Sequence, residues 1–96
     1  MSKLNIQTLH FKASEALNKY IEEKADKLFR MSDEIIRADI TLYEGAAGNP
    51  ENQWCEIRLS IPGDNLFVKK NSNHFEKSIL DAVTALQKII RRSKRK

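Results

Sequence analysis

The hydrophobic period of this 96-residue chain changes in an order that few folds can accommodate. Over residues 3 to 9, Leu4, Ile6 and Thr8 alternate with Asn5, Gln7 and Leu9, the period of two that marks a short strand. From Glu15 to about Met31 the period becomes 3.6: Leu17, Tyr20, Ile21, Ala25, Leu28 and Phe29 recur at three and four. Ser14 precedes them as an N-cap whose hydroxyl can accept a backbone N–H. Glu15–Lys19, Glu23–Lys27 and Asp26–Arg30 are opposite charges one turn apart.

Period two then returns. Ile36, Ala38, Ile40 and Leu42 alternate with Arg37, Asp39, Thr41 and Tyr43; Cys55, Ile57, Leu59 and Ile61 alternate with Trp54, Glu56, Arg58 and Ser60. Each strand has one apolar and one mixed face, the pattern of a sheet covered on one side. Gly45 to Asn52 reads as a loop, and Pro62, Gly63, Asp64 and Asn65 as a turn into a short strand, Leu66 to Lys70. Ser72 or Asn73 then caps a long helix with a stripe of Phe75, Ile79, Ala82, Val83, Leu86, Ile89 and Ile90. The order predicts an α+β fold, β-α-β-β-β-α, with a four-stranded sheet and both helices packed on its one apolar face.

Composition narrows the class. An apolar fraction of 41% is too high for a disordered chain and too low for a membrane protein. No run approaches the ~18–20 apolar residues that span a bilayer, and Met1 to Ile6 lacks the apolar stretch of a signal peptide. One cysteine, Cys55, excludes an internal disulfide or a multi-cysteine zinc site. A single domain over 1–96 in a reducing compartment, the cytoplasm, is expected.

Nothing in the sequence assembles a reacting centre. Cys55 alternates inward with Ile57 and Leu59, as a buried small hydrophobe would. His10 and His74 stand far apart, without metal-ligand spacing or a nucleophile partner. The three glycines form no phosphate loop. Tyr43 and Trp54 fall on the outer face of adjacent strands, where a cross-strand contact is expected before base stacking. No enzyme activity, cofactor, metal or small-molecule substrate is therefore expected.

Charge is where the sequence is informative. The formal net of +4 conceals a segregation: Lys88, Arg91, Arg92, Lys94, Arg95 and Lys96 close the chain with no acid among them. Without those six, 11 basic residues meet 13 acidic ones, a net of −2. On a helical wheel Lys88, Arg91, Arg92 and Arg95 oppose the apolar stripe, with Lys77 on the same side. A helix C-terminus favours a few cations, but six without a counter-charge repel one another unless a polyanion faces them. In the first helix Lys24 and Lys27 flank Tyr20 at the edge of the apolar arc. There they either snorkel or border a groove facing the second helix.

Taken in order, "LNI" at 4–6, "SEALNKYIEEKADKL" at 14–28, "IPGDNL" at 61–66 and the final amphipathic helix ending in basic residues resemble the bacterial ribosome hibernation promoting factors, or ribosome-associated inhibitors, also labelled sigma-54 modulation proteins. The resemblance implies a fold related to the double-stranded-RNA-binding domain. It also implies a cytoplasmic, non-enzymatic translation inhibitor in the mRNA/tRNA channel of the small ribosomal subunit, stabilising idle ribosomes in stress or stationary phase. Basic side chains would meet 16S rRNA phosphates. Lys24, Lys27, Lys88, Arg92, Lys94 and Lys96 match basic family positions, and Arg91 and Arg95 are additional charges. Asn18 replaces a frequent family arginine, and His74 to Leu80 diverges from the usual helix start. With no second dimerising domain, the chain resembles the short form, which pairs ribosomes only with a separate factor. The alternatives are a stand-alone RNA-binding module, or a protein-binding regulator such as a sigma-factor modulator.

Overall fold

The computed structural model describes residues 3–93. Its elements are β1 (Lys3–Thr8), α1 (Glu15–Met31), β2 (Arg37–Glu44), β3 (Gln53–Ile61), β4 (Asp64–Ser72) and α2 (Phe75–Ser93). The strands lie in the order β1-β2-β3-β4. β1 runs parallel to β2, because a helix intervenes and returns the chain to the same end. The other pairings are antiparallel. This is the α+β arrangement that the periodicity predicts.

Register explains the core. Ile6, Ile40, Ile57 and Val68 stand side by side, forming one β-branched row across the whole sheet. The next row toward one end is Leu4, Ala38, Leu59 and Leu66. Over these rows lie Leu17, Ile21, Ala25 and Leu28 of α1 and Ile79, Ala82, Val83, Leu86 and Ile90 of α2, all buried. Burying such a side chain is worth about 1.5–3 kcal/mol, which places the dominant stabilisation between the layers.

The helices run side by side in the same direction. At one end Phe11 stacks on Phe75 with centroids 4.9 Å apart, and the Tyr20 hydroxyl donates to the Glu76 carbonyl at 3.1 Å. At the other end Ile35, just after α1, and Ile90, in the last turns of α2, line one shallow groove. The start of α1 is capped as expected, with the Leu17 N–H on Ser14 Oγ at 3.1 Å. His10 turns the chain between β1 and α1 at φ 69°, a left-handed corner that histidine tolerates better than most residues.

Several local expectations are revised. Ile36 is 54% exposed, whereas Ile35 is buried at 3%. The strand begins only at Arg37, so strand alternation does not govern Ile36, and the preceding turn supplies Ile35 to the core. The Pro62-Gly63 turn spans just two residues, Gly63 taking the positive φ of 80° that its second corner requires. Asp64 and Asn65 already pair with Ile61 and Ser60, and β4 continues to Ser72 rather than stopping at Lys70. Ser72 does not cap α2 directly. It accepts the His74 N–H at 3.2 Å and lies 2.8 Å from Ser78 Oγ, which donates to the Gln53 carbonyl at 2.6 Å. This buried serine pair ties the start of α2 to β3. Of the three one-turn ion pairs anticipated in α1, only Asp26–Arg30 closes, at 2.7 Å.

Three outcomes follow from this packing. Ile57→Ala should lower unfolding free energy by about 2–5 kcal/mol in denaturant titrations. Cys55 should resist thiol reagents until the protein unfolds, because burial pushes its thiol up to about 12. Both tyrosines should also ionise late. Partial burial, followed by the charges of Glu76 and Asp81, raises Tyr20; partial burial and the hydrogen bond to Glu56 raise Tyr43 to about 12. The folded state thus favours neutral phenols, so their contribution to stability is intact below pH 10 and is lost as the pH rises from there through about 12. Ultraviolet titration should show the shift, and Tyr43→Phe should flatten the alkaline fall in stability.

Candidate nucleic-acid interface

Helix α2 is electrically polarised along its length. Its two acids, Glu76 and Asp81, lie in the first half, and Lys77 there pairs with Asp81 at 3.1 Å. From residue 82 to 93 the only charges are Lys88, Arg91 and Arg92, all exposed. Among the described residues, none of these three has a carboxylate within 4.0 Å. The helix dipole supports cations in the last turn but supplies only a fractional counter-charge. Lys94, Arg95 and Lys96 lie outside the described residues.

Helix α1 presents two lysines on the side that faces α2. Tyr20, Lys24 and Lys27 fall within roughly 60° of one another at 100° per residue. The Tyr20–Glu76 hydrogen bond turns that side toward α2. Lys24 is half-buried, its Nζ 5.2 Å above the Tyr20 ring. Its stem therefore packs beside Tyr20 while its ammonium stays at the surface, the snorkelling arrangement expected of a lysine at the edge of an apolar arc. Lys27 is exposed and forms no ion pair with Glu23 or any other described carboxylate. Because the helices run in the same direction, Lys24 and Lys27 stand toward the end at which α2 carries Lys88, Arg91 and Arg92.

One cation was invisible to the wheel. A groove of about 460 Å³ on the other flank of α2 is lined by Lys88 and Arg92 together with Lys70 from β4. Alternation places Lys70 on the helix-covered face, and only the knowledge that β4 is an edge strand lets its side chain reach water past α2.

The outer sheet face is occupied by its own contacts. Tyr43 and Trp54 stack across β2 and β3 at 6.3 Å, the Tyr43 hydroxyl donates to Glu56 at 2.5 Å, and Lys69 Nζ lies 4.8 Å over the indole. Gly45 is required beside them, since a Cβ there would come within 2.5 Å of Trp54 Nε1. Tyr43 and Trp54 thus form the cross-strand contact expected of them. Cys55 is buried, and among the described residues no group of three His, Cys, Asp or Glu could hold a metal ion. Nor is any described helix long and apolar enough to cross a membrane.

Comparison with known proteins matches this chain and its fold to one group. The chain is similar to the N-terminal domain of Protein Y from Thermus thermophilus, with 25% identity over 96% of each chain and a TM-score of 0.76. It shares the fold of a ribosomal subunit interface protein from Coxiella burnetii, with 20% identity over 98% of this chain and 99% of that one and a TM-score of 0.81. No curated protein sequence matches it. The family model described as Sigma 54 modulation protein / S30EA ribosomal protein matches residues 4–96, nearly the whole chain. With its two-layer fold, the chain belongs to the sigma 54 modulation protein / S30EA ribosomal protein family.

Proposed function

We propose that this protein is a non-enzymatic translation inhibitor that binds the small ribosomal subunit in the mRNA/tRNA channel and stabilises inactive ribosomes in stress or stationary phase. The observation that carries the proposal is the acid-free last half of α2, where Lys88, Arg91 and Arg92 are exposed with no described carboxylate within 4.0 Å, with Lys24 and Lys27 on the α2-facing side of α1. Such a pole is stabilised by RNA phosphates, whose condensed counterions are released on contact. Lys94, Arg95 and Lys96 extend it in sequence. Contacts of this type fix position and read almost no sequence, as suits a plug in 16S rRNA rather than a base-specific reader. Family membership supports the same partner, and the Coxiella burnetii protein that shares the fold is a ribosomal subunit interface protein. The place of action of the present chain is the cytoplasm.

The alternatives draw less support. A stand-alone duplex-RNA module presents lysines at the start of its last helix. Here that start is Phe75, Glu76 and Lys77, and Lys77 is engaged with Asp81. A protein-binding regulator needs an exposed apolar or acidic patch; the exposed large apolar residues among those described, Leu9, Ile36, Phe67 and Leu80, each sit on a different segment.

The pole cannot be tested by truncation, because Ile90, between Lys88 and Arg91, is core at 6% exposure. Neutralisation leaves the core intact. Lys88→Gln, Arg91→Gln and Arg92→Gln combined should retain the folded far-ultraviolet spectrum. The triple variant should also lose most co-sedimentation with small ribosomal subunits. For the unsubstituted protein, affinity should fall steeply with salt, about 0.7–0.9 log units per log unit of salt for each phosphate neutralised. Equal binding at ~50 and ~500 mM salt would contradict counterion release as the driving force.

A further inference from the structure

The sheet's third inward row reads Thr8, Leu42, Cys55 and Lys70 across the four strands. The two rows before it are apolar at every position, so Lys70 is the one charged residue in these three rows. A lysine facing the covered side of a sheet must carry its ammonium to water, and the edge position of β4 allows this. Its charge arrives in the groove where Lys88 and Arg92 already stand. The floor between them is Ala85 and Ile89. The groove's acid, Asp81, is paired with Lys77 at 3.1 Å, and none of the three cations has a described carboxylate within 4.0 Å.

A lysine on an edge strand often serves to discourage edge-to-edge pairing. That role is open to Lys69 on the outer face, and it gives no reason to set a third like charge beside Lys88 and Arg92. We propose that Lys70 is an RNA-phosphate ligand, and that Lys70, Lys88 and Arg92 form a second phosphate-binding groove on the β4 flank of α2. This rests on the ribosome-binding reading and deepens it. The end of α2 then lies between two RNA backbone segments, one met by Lys24, Lys27 and Arg91 on the α1 side, the other by this groove. Its opening, about 460 Å³ with a short apolar floor, admits a phosphodiester and its ribose.

The test uses the full chain and small ribosomal subunits, with affinity measured by co-sedimentation across a potassium chloride series. Lys70→Gln, Lys70→Arg, Lys88→Gln and Lys19→Gln are compared, Lys19 being an exposed α1 cation outside both grooves. Lys70→Gln should weaken binding about tenfold near physiological salt and lower the salt slope by about 1, at unchanged thermal midpoint. Lys70→Arg should keep the slope, and Lys19→Gln should leave it unaltered. If Lys70→Gln behaves like Lys19→Gln while Lys88→Gln loses affinity, Lys70 is no ligand and the second groove is overturned, with the ribosome reading intact. If Lys88→Gln also leaves binding unchanged, the cationic pole as a whole is wrong.

Discussion

The structure depends on the burial of one face of one sheet. The row Ile6, Ile40, Ile57 and Val68 runs from edge to edge, and no water-facing arrangement of those side chains is affordable. Two amphipathic helices must cover it, and a four-stranded sheet is just wide enough for two helices abreast. The parallel β1–β2 pairing fixes the direction of α1, and the antiparallel β3–β4 hairpin fixes that of α2. The helices consequently run the same way, tied at their starts by Phe11–Phe75 and Tyr20–Glu76. Lys24 and Lys27 are thereby brought toward the end of the molecule that holds Lys88, Arg91 and Arg92. Packing that concerns only apolar residues thus decides where the charges collect.

Electrostatics then separates the two sheet faces. On the outer face, opposite charges interleave: Arg37 with Asp39 at 2.8 Å, Lys69 with Glu56 at 4.0 Å, and Tyr43 hydrogen-bonded to Glu56. Exposed pairs of this kind contribute ~0–1 kcal/mol each. The helical end has the opposite character. Its cations find no described carboxylate, and Asp81, the nearest acid along α2, is held by Lys77.

Much of this was legible in the sequence. Period alone locates the elements and predicts the two layers, because each amphipathic segment has one place to hide its apolar face. Ser14 announces the start of α1, and the acid-free run after Asp81 announces the pole. What escaped depends on tertiary neighbours. Lys70 reads as an inward strand position, and becomes a groove residue only because β4 is an edge passed by α2. Ile36, expected on the apolar face, is exposed and Ile35 is buried instead, because the turn after α1, not the strand, orients them. Ser78 looks like an ordinary polar helix residue. Its part in the buried link among Ser72, Gln53 and α2 is visible only once the strands are paired.

The central claim is that the cationic pole seats this protein where messenger and transfer RNA would otherwise lie. Direct competition on small ribosomal subunits tests it: labelled protein is bound first, then messenger RNA and P-site transfer RNA are added to saturation. The account predicts mutual exclusion, with protein released as the RNAs bind and RNA binding blocked by excess protein. Simultaneous occupancy, with protein retained at saturating messenger and transfer RNA, would contradict it.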